Sequence, residues 1–344
     1  MPVGLRPACF ALGPQASADA LAGATPVAAS IVGMSERKAS LDGMAVAALL
    51  LCCLLWGLNQ VAAKLTLADV PPLIQAGSRS LGAALLVAAW AWRGGVSLST
   101  RNGTLGAGLL AGALFATEFA CVFIGLQYTS ASRMIVFLYA SPFVVALGLP
   151  LMAQSERMGR VQWLGLATAF GGVAWAFAEG FSAGFVALGP KQWLGDTLGL
   201  AAAVLWGATT LVIRGSRLAN APPEQTLFYQ LLVSGVLLTA ASLGLGEAWP
   251  SLPSLGLRPW LLMGFQTVVV TFASFLLWFW LVRHYPATRV TAFTLLTPLF
   301  GLLAGVILLG EPLTPRLLLA CAAVVLGIAL VNRGPQPRQT QHPA

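Results

Sequence analysis

Two ionisable residues stand inside stretches that are otherwise apolar: Arg79 within 73–92 and Glu118 within 105–126. An ion at membrane depth is costly unless paired or wet, so each is a functional candidate by default. Glu118 is eight residues from the end of its stretch and Arg79 six from the start of its own. At a helical rise of about 1.5 Å per residue, those are depths of about 12 and 9 Å. On neighbouring helices the two stand at comparable depth. The chemistry this permits is a substrate or proton site in which Glu118 gains and loses a proton. The alternative is a structural ion pair, which burial would also demand.

Other candidates surround this pair. Trp56 and Trp206 sit near mid-span beside Asn59, Gln60, Thr209 and Thr210. They either offer aromatic faces to an apolar or cationic solute or pack helices beside Gly57 and Gly207. Tyr139, Gln230, Gln266, Thr267, Thr294 and Thr297 each need a hydrogen-bond partner in a dry bundle, from a solute or from the helices themselves. Pro142 and Pro298 interrupt two spans at matching places and read as hinges or plain structural kinks. Lys64, Arg133, Arg214 and Arg289 lie at span ends, as mouth or gate cations or as side chains that snorkel to the interface.

No catalytic set is legible. The chain has neither H-E-x-x-H nor G-x-x-x-x-G-K-[ST], and no two carboxylates are placed to work together inside the spans. The five cysteines (Cys9, Cys52, Cys53, Cys121, Cys321) lack metal-ligand spacing and read as packing residues. His284 and His342 are too few for most catalytic schemes. No metal, cofactor or nucleic acid is implied.

The elements that must position these residues follow from composition. Of 344 residues 58% are hydrophobic and 9% charged, against about 25% charged in a soluble domain. Mean hydropathy is +0.82. Ten spans are expected, near 44–63, 73–92, 105–126, 133–152, 162–181, 196–213, 226–245, 260–282, 289–309 and 315–332. Each is long enough to cross roughly 30 Å of hydrocarbon. Asp69-Val70-Pro71-Pro72, Arg93-Gly94-Gly95, Asn220-Ala221-Pro222-Pro223 and Gly310-Glu311-Pro312 mark joints. Gly108-x-x-x-Gly112 and Gly301-x-x-x-Gly305 offer close helix contacts. Residues 1–43, rich in Ala, Gly, Pro and Ser, are expected to be a disordered extension, with Met34 or Met44 as alternative starts.

The halves answer each other. Trp56-Gly57 recurs as Trp206-Gly207, Lys64 as Arg214, Pro71-Pro72 as Pro222-Pro223, Arg133 and Pro142 as Arg289 and Pro298, and Glu156 as Glu311. Residues 44–181 and 196–332 are therefore expected to be two five-helix repeats, followed by a tail at 333–344. Five is odd, so the second repeat enters the membrane from the opposite face. The expected fold is an all-α membrane protein of ten transmembrane helices in two inverted repeats. With the N-terminus inside, twelve basic residues fall on the cytoplasmic side and five outside, which places both termini in the cytoplasm. Inverted repeats rocking about a midplane site are a transporter architecture.

Trp56-Gly57-Leu58-Asn59, Tyr128-Thr129-Ser130-Ala131 leading into Ser141-Pro142, and Thr297-Pro298 followed by Gly310-Glu311-Pro312-Leu313 give the chain a specific likeness. Over roughly 44–332 it resembles EamA-type members of the drug/metabolite transporter superfamily. Departures are Ser155-Glu156-Arg157, where Glu-Pro would be expected, and Glu118, which is not general to the family. The resemblance implies a ten-helix bundle in the cytoplasmic (inner) membrane with a central cavity, moving a small metabolite by alternating access. The solute would be an amino acid or similar molecule, exported or exchanged, with protons as candidate coupling ion and a monomer or weak homodimer as the working unit. The alternatives are an intramembrane enzyme acting on a lipid-linked substrate, and a channel, although no charged ring or filter-like loop is present.

Overall fold

The computed structural model describes residues 42–99, 103–152, 159–179, 189–251, 253, 255–285, 290 and 293–332. Among these all regular structure is helical. The helices are α1 (Gly43–Thr66), α2 (Pro72–Arg93), α3 (Leu105–Gly125), α4 (Ala131–Leu138), α5 (Ser141–Met152), α6 (Arg160–Glu179) and α7 (Gln192–Arg214). There follow α8 (Pro223–Gly244), α9 (Leu257–Gly264), a π-helical stretch (Phe265–Ser274), α10 (Phe275–His284), α11 (Thr297–Leu309) and α12 (Pro315–Asn332). Six helical runs among the described residues are long and apolar enough to cross a membrane: α1, α2, α3, α7, α8 and Leu257–Leu281. The chain is a multi-pass membrane protein. The expected extension 1–43 and the tail 333–344 fall almost entirely outside the described residues.

Helix starts follow local chemistry. Asp42 caps α1, its Oδ1 accepting from the Ala45 N–H at 2.9 Å. Pro72 and Pro223 open α2 and α8, where a missing N–H costs nothing. α11 ends on Gly310 at φ 65°, a left-handed turn that glycine adopts without strain.

Three expected helices are not continuous. The span read as 133–152 breaks at Tyr139–Ala140 into α4 and α5, and the one read as 289–309 passes through a 3₁₀ turn at Thr294–Leu296 before α11. Proline explains both breaks. Its ring collides with the carbonyl four residues earlier in a continuous helix. The chain therefore starts a new helix one residue ahead, and Pro142 and Pro298 occupy first turns rather than kinked interiors. The span read as 260–282 widens into the π stretch, where the Thr271 hydroxyl donates to the Gln266 carbonyl five residues back at 2.7 Å.

The bundle is assembled crosswise. α2 lies along α8, α6 along α12, α1 against α11 and α5 against α7. Glycine permits two of these crossings. A Cβ on Gly57 would lie 2.7 Å from the Gly301 backbone N and 3.0 Å from Phe300 Cβ. One on Gly207 would collide with Val144 Cβ and lie 3.2 Å from the Ser141 carbonyl. Gly207→Leu is expected to destabilise the purified protein by about 1–3 kcal/mol through overpacking. Gly106→Ala, with nothing within 4 Å of its added Cβ, should leave the thermal midpoint in detergent near the parent value.

Candidate functional site

Polar side chains buried in an apolar bundle demand partners, and two groups of them bear on the expected site. The first is an end cluster where α1, α3, α4, α7 and α11 meet. Glu311, just beyond α11, accepts from the backbone N–H groups of Ala131 (2.8 Å) and Ser132 (3.0 Å) and from the Ser132 hydroxyl. A carboxylate there neutralises the positive end of α4. Lys64, in the last turn of α1, donates to the carbonyls of Leu126 and Thr129, the latter at 2.6 Å. Arg133 and Asp196, 3% and 0% exposed, form a side-on pair. In it Nε donates to Oδ1 at 3.1 Å and Nη2 to Oδ2 at 2.6 Å. The Thr129 hydroxyl donates to the same carboxylate at 2.6 Å.

The second group lies deeper. Arg79 is seven residues into α2 and Glu118 seven residues before the end of α3, about 10 Å deep in each case. Both are buried, at 1% and 4% exposure. The Arg79 Cζ sits 4.3 Å from the Phe119 ring centroid and 5.0 Å from that of Phe123. No hydrogen bond or salt bridge joins Arg79 and Glu118. Arg79 Nε and Nη2, Glu118 Oε2, Asn59 Oδ1, Gln60 Oε1 and Ser80 Oγ have no hydrogen-bond partner among the described residues. A hydrogen-bonded chain, whose Gln75 Oε1 is also without a partner among the described residues, lies on α1, α2 and the π-helical stretch. Gln75 Nε2 donates to Gln266 Oε1 at 3.1 Å and to the Ala63 carbonyl, and Gln266 Nε2 donates to Thr66 Oγ1 at 3.1 Å.

The remaining candidates separate. Trp56 donates its indole N–H to Ser274 Oγ at 2.8 Å and lies edge-on to Phe275 and Trp278. Tyr139, at the break between α4 and α5, meets Trp206 edge-on at 5.4 Å. Thr209 and Thr210 bond back to their own helix at Leu205 and Trp206. Gln230, Thr294 and Thr297 are buried. Arg214 is exposed at the end of α7, and Arg289 and Glu156 lie outside the described residues. Arg133 does not snorkel to an interface: it is 3% exposed and binds the Asp196 carboxylate.

Sequence reasoning missed Asp196 and had Glu311 only as a landmark of repetition. The signal for Asp196 was available, since it is an acid near the start of one apolar span and Arg133 is a base near the start of another. Among the described residues no three His, Cys, Asp or Glu side chains gather as a metal site.

Comparison with known proteins agrees with this architecture. The model of the EamA-like transporter family matches residues 43–178 and again 193–333. The chain belongs to that family, whose members are transporters rather than enzymes. It is 30% identical to the uncharacterized transporter YvbV of Bacillus subtilis over 81% of this chain and 88% of the relative. It is 28% identical to a probable amino-acid metabolite efflux pump of Salmonella typhimurium, over 85% and 95%. To the uncharacterized inner membrane transporter YedA of Escherichia coli K12 it is 25% identical, over 82% and 88%. A solved crystal structure shares the fold with a TM-score of 0.61 at 20% identity, over 84% of this chain and 96% of that one.

Proposed function

We propose that this transporter is a secondary carrier that exports or exchanges amino-acid-like metabolites across the inner membrane by alternating access. The proposed frame is ten spans in two inverted five-helix repeats, 44–181 and 196–332, with both termini in the cytoplasm. The double family match supports the duplication. So does the crosswise packing, because Gly57 against Phe300 and Gly207 against Val144 are the same contact with the halves exchanged. The pairs α2–α8 and α6–α12 lie where an axis relating the halves would pass. Odd parity then makes the end cluster one of two alternate closures. Glu311, Lys64 and the Arg133–Asp196 pair hold five helices together at one face, and opening that face means separating them.

One observation carries the transport site: charged and amide groups with unused hydrogen-bonding capacity, buried about 10 Å deep on α1, α2 and α3. Such groups are retained at membrane depth where a solute or proton meets them. Glu118 is the proton carrier in this reading, and a single chain, holding both halves, is the working unit. The amino-acid class rests on the name of the Salmonella relative.

Purified protein in liposomes tests the proposal. Uptake of a radiolabelled amino acid should saturate, and should accelerate when unlabelled solute is present inside. Flux that never saturates would mean a channel, and cleavage of a lipid-linked substrate an enzyme.

A further inference from the structure

The two arginines buried among the described residues, Arg79 and Arg133, differ in one telling respect. Arg133 spends its Nε–Nη2 edge on a carboxylate, binding Asp196 side-on. That edge is the planar fork which matches two carboxylate oxygens. Arg79 presents the same edge, and its Nε and Nη2 are the atoms that have no partner among the described residues. Its guanidinium carbon lies 4.3 and 5.0 Å from the ring centroids of Phe119 and Phe123, a cation–π contact that uses no N–H donor of the fork.

Glu118 completes the geometry. It precedes Phe119 on α3, and its Oε2 is also unpartnered. Arg79 and Glu118 thus stand as opposite charges in one buried region with no hydrogen bond between them. We infer that the Nε–Nη2 edge of Arg79 is the subsite for a substrate carboxylate, and that Glu118 receives the ammonium group of the same solute. This rests on the transport reading above and narrows it to a zwitterion. A simple carboxylic acid would use Arg79 alone and leave Glu118 to be neutralised by a proton, and a simple amine would leave the buried Arg79 charge uncompensated. A molecule carrying both groups satisfies both.

The test is calorimetric titration of the full chain in detergent with the twenty L-α-amino acids. The tightest binder is followed by its des-amino and des-carboxy analogues. Each analogue is expected to bind roughly tenfold or more weakly than its parent, because a buried polar partner is then left unpaired. Arg79→Lys keeps the charge but loses the fork. It should weaken the parent and the des-amino analogue by a similar factor and leave the des-carboxy analogue unchanged. Glu118→Gln should do the mirror image. Should either variant misfold, the three-ligand comparison on the parent protein decides alone. The inference falls if no amino acid binds, if the des-carboxy analogue binds as tightly as its parent, or if Arg79→Lys affects all three ligands alike. Saturable, trans-stimulated flux of a solute lacking these groups would sink this inference and leave the carrier standing. Absence of saturable flux for every solute would remove both.

Discussion

Asp196→Ala should lower the stability of the protein by about 3–5 kcal/mol, because it removes the carboxylate that the buried Arg133 guanidinium binds through Nε and Nη2. The carboxylate accepts from Arg133 through both Nε and Nη2 and from the Thr129 hydroxyl, so α3 and α4 lose their common anchor on α7 at one stroke. Thermal unfolding in detergent, with the yield of monodisperse protein, measures the loss. The informative variant replaces both charges by apolar residues of similar size, Arg133→Met with Asp196→Leu. Replacing a buried pair outright is often neutral or stabilising, so this double variant should recover the thermal midpoint. If the pair belongs to a closure that must open, stability returns without transport. Full recovery of transport in the double variant would reduce the pair to scaffolding.

The second large effect is expected at Arg79 and Glu118. Arg79→Ala should abolish uptake in proteoliposomes. Glu118→Gln should reduce it by roughly tenfold or more and remove its dependence on pH, since Gln keeps the shape of the side chain without a titrating proton. Either single change leaves the other charge buried, so some stability is lost as well. The double variant Arg79→Gln with Glu118→Gln separates the two effects: it should restore the thermal midpoint but not transport. Unaltered uptake with an unchanged pH profile in both single variants would remove this pair from the mechanism.

Much of this molecule was legible in its linear order. Apolar runs bounded by Pro and Gly identify membrane helices because dehydrating a backbone requires it to satisfy its own hydrogen bonds, a local condition. Landmarks repeating in order, such as Trp56-Gly57 with Trp206-Gly207, pointed to a duplication because both copies solve the same packing problem. That Arg79 and Glu118 stand at comparable depth needed only the helical rise and two end points. The positions of the breaks near Pro142 and Pro298 were nearly readable too, but not their form. A proline forbids the helix that precedes it more strongly than it bends the one it begins, so each break falls ahead of the ring.

What linear order could not supply was partnership. Arg133 meets Asp196 across 63 residues and Glu311 reaches Ser132 across 179, distances over which neither hydropathy nor helix periodicity carries information. Only the docking of helices decides which of the buried polar groups are satisfied. Trp56, an aromatic candidate for a solute, already has Ser274 as its partner, whereas Arg79 and Glu118 keep unused hydrogen-bonding capacity beside the rings of α3. Composition thus determined that this chain crosses a membrane and carries two charges into it. Tertiary packing decided which charges are spent holding helices together and which keep unused hydrogen-bonding capacity, because a hydrogen bond depends on where two atoms arrive and not on where their residues stand in the chain.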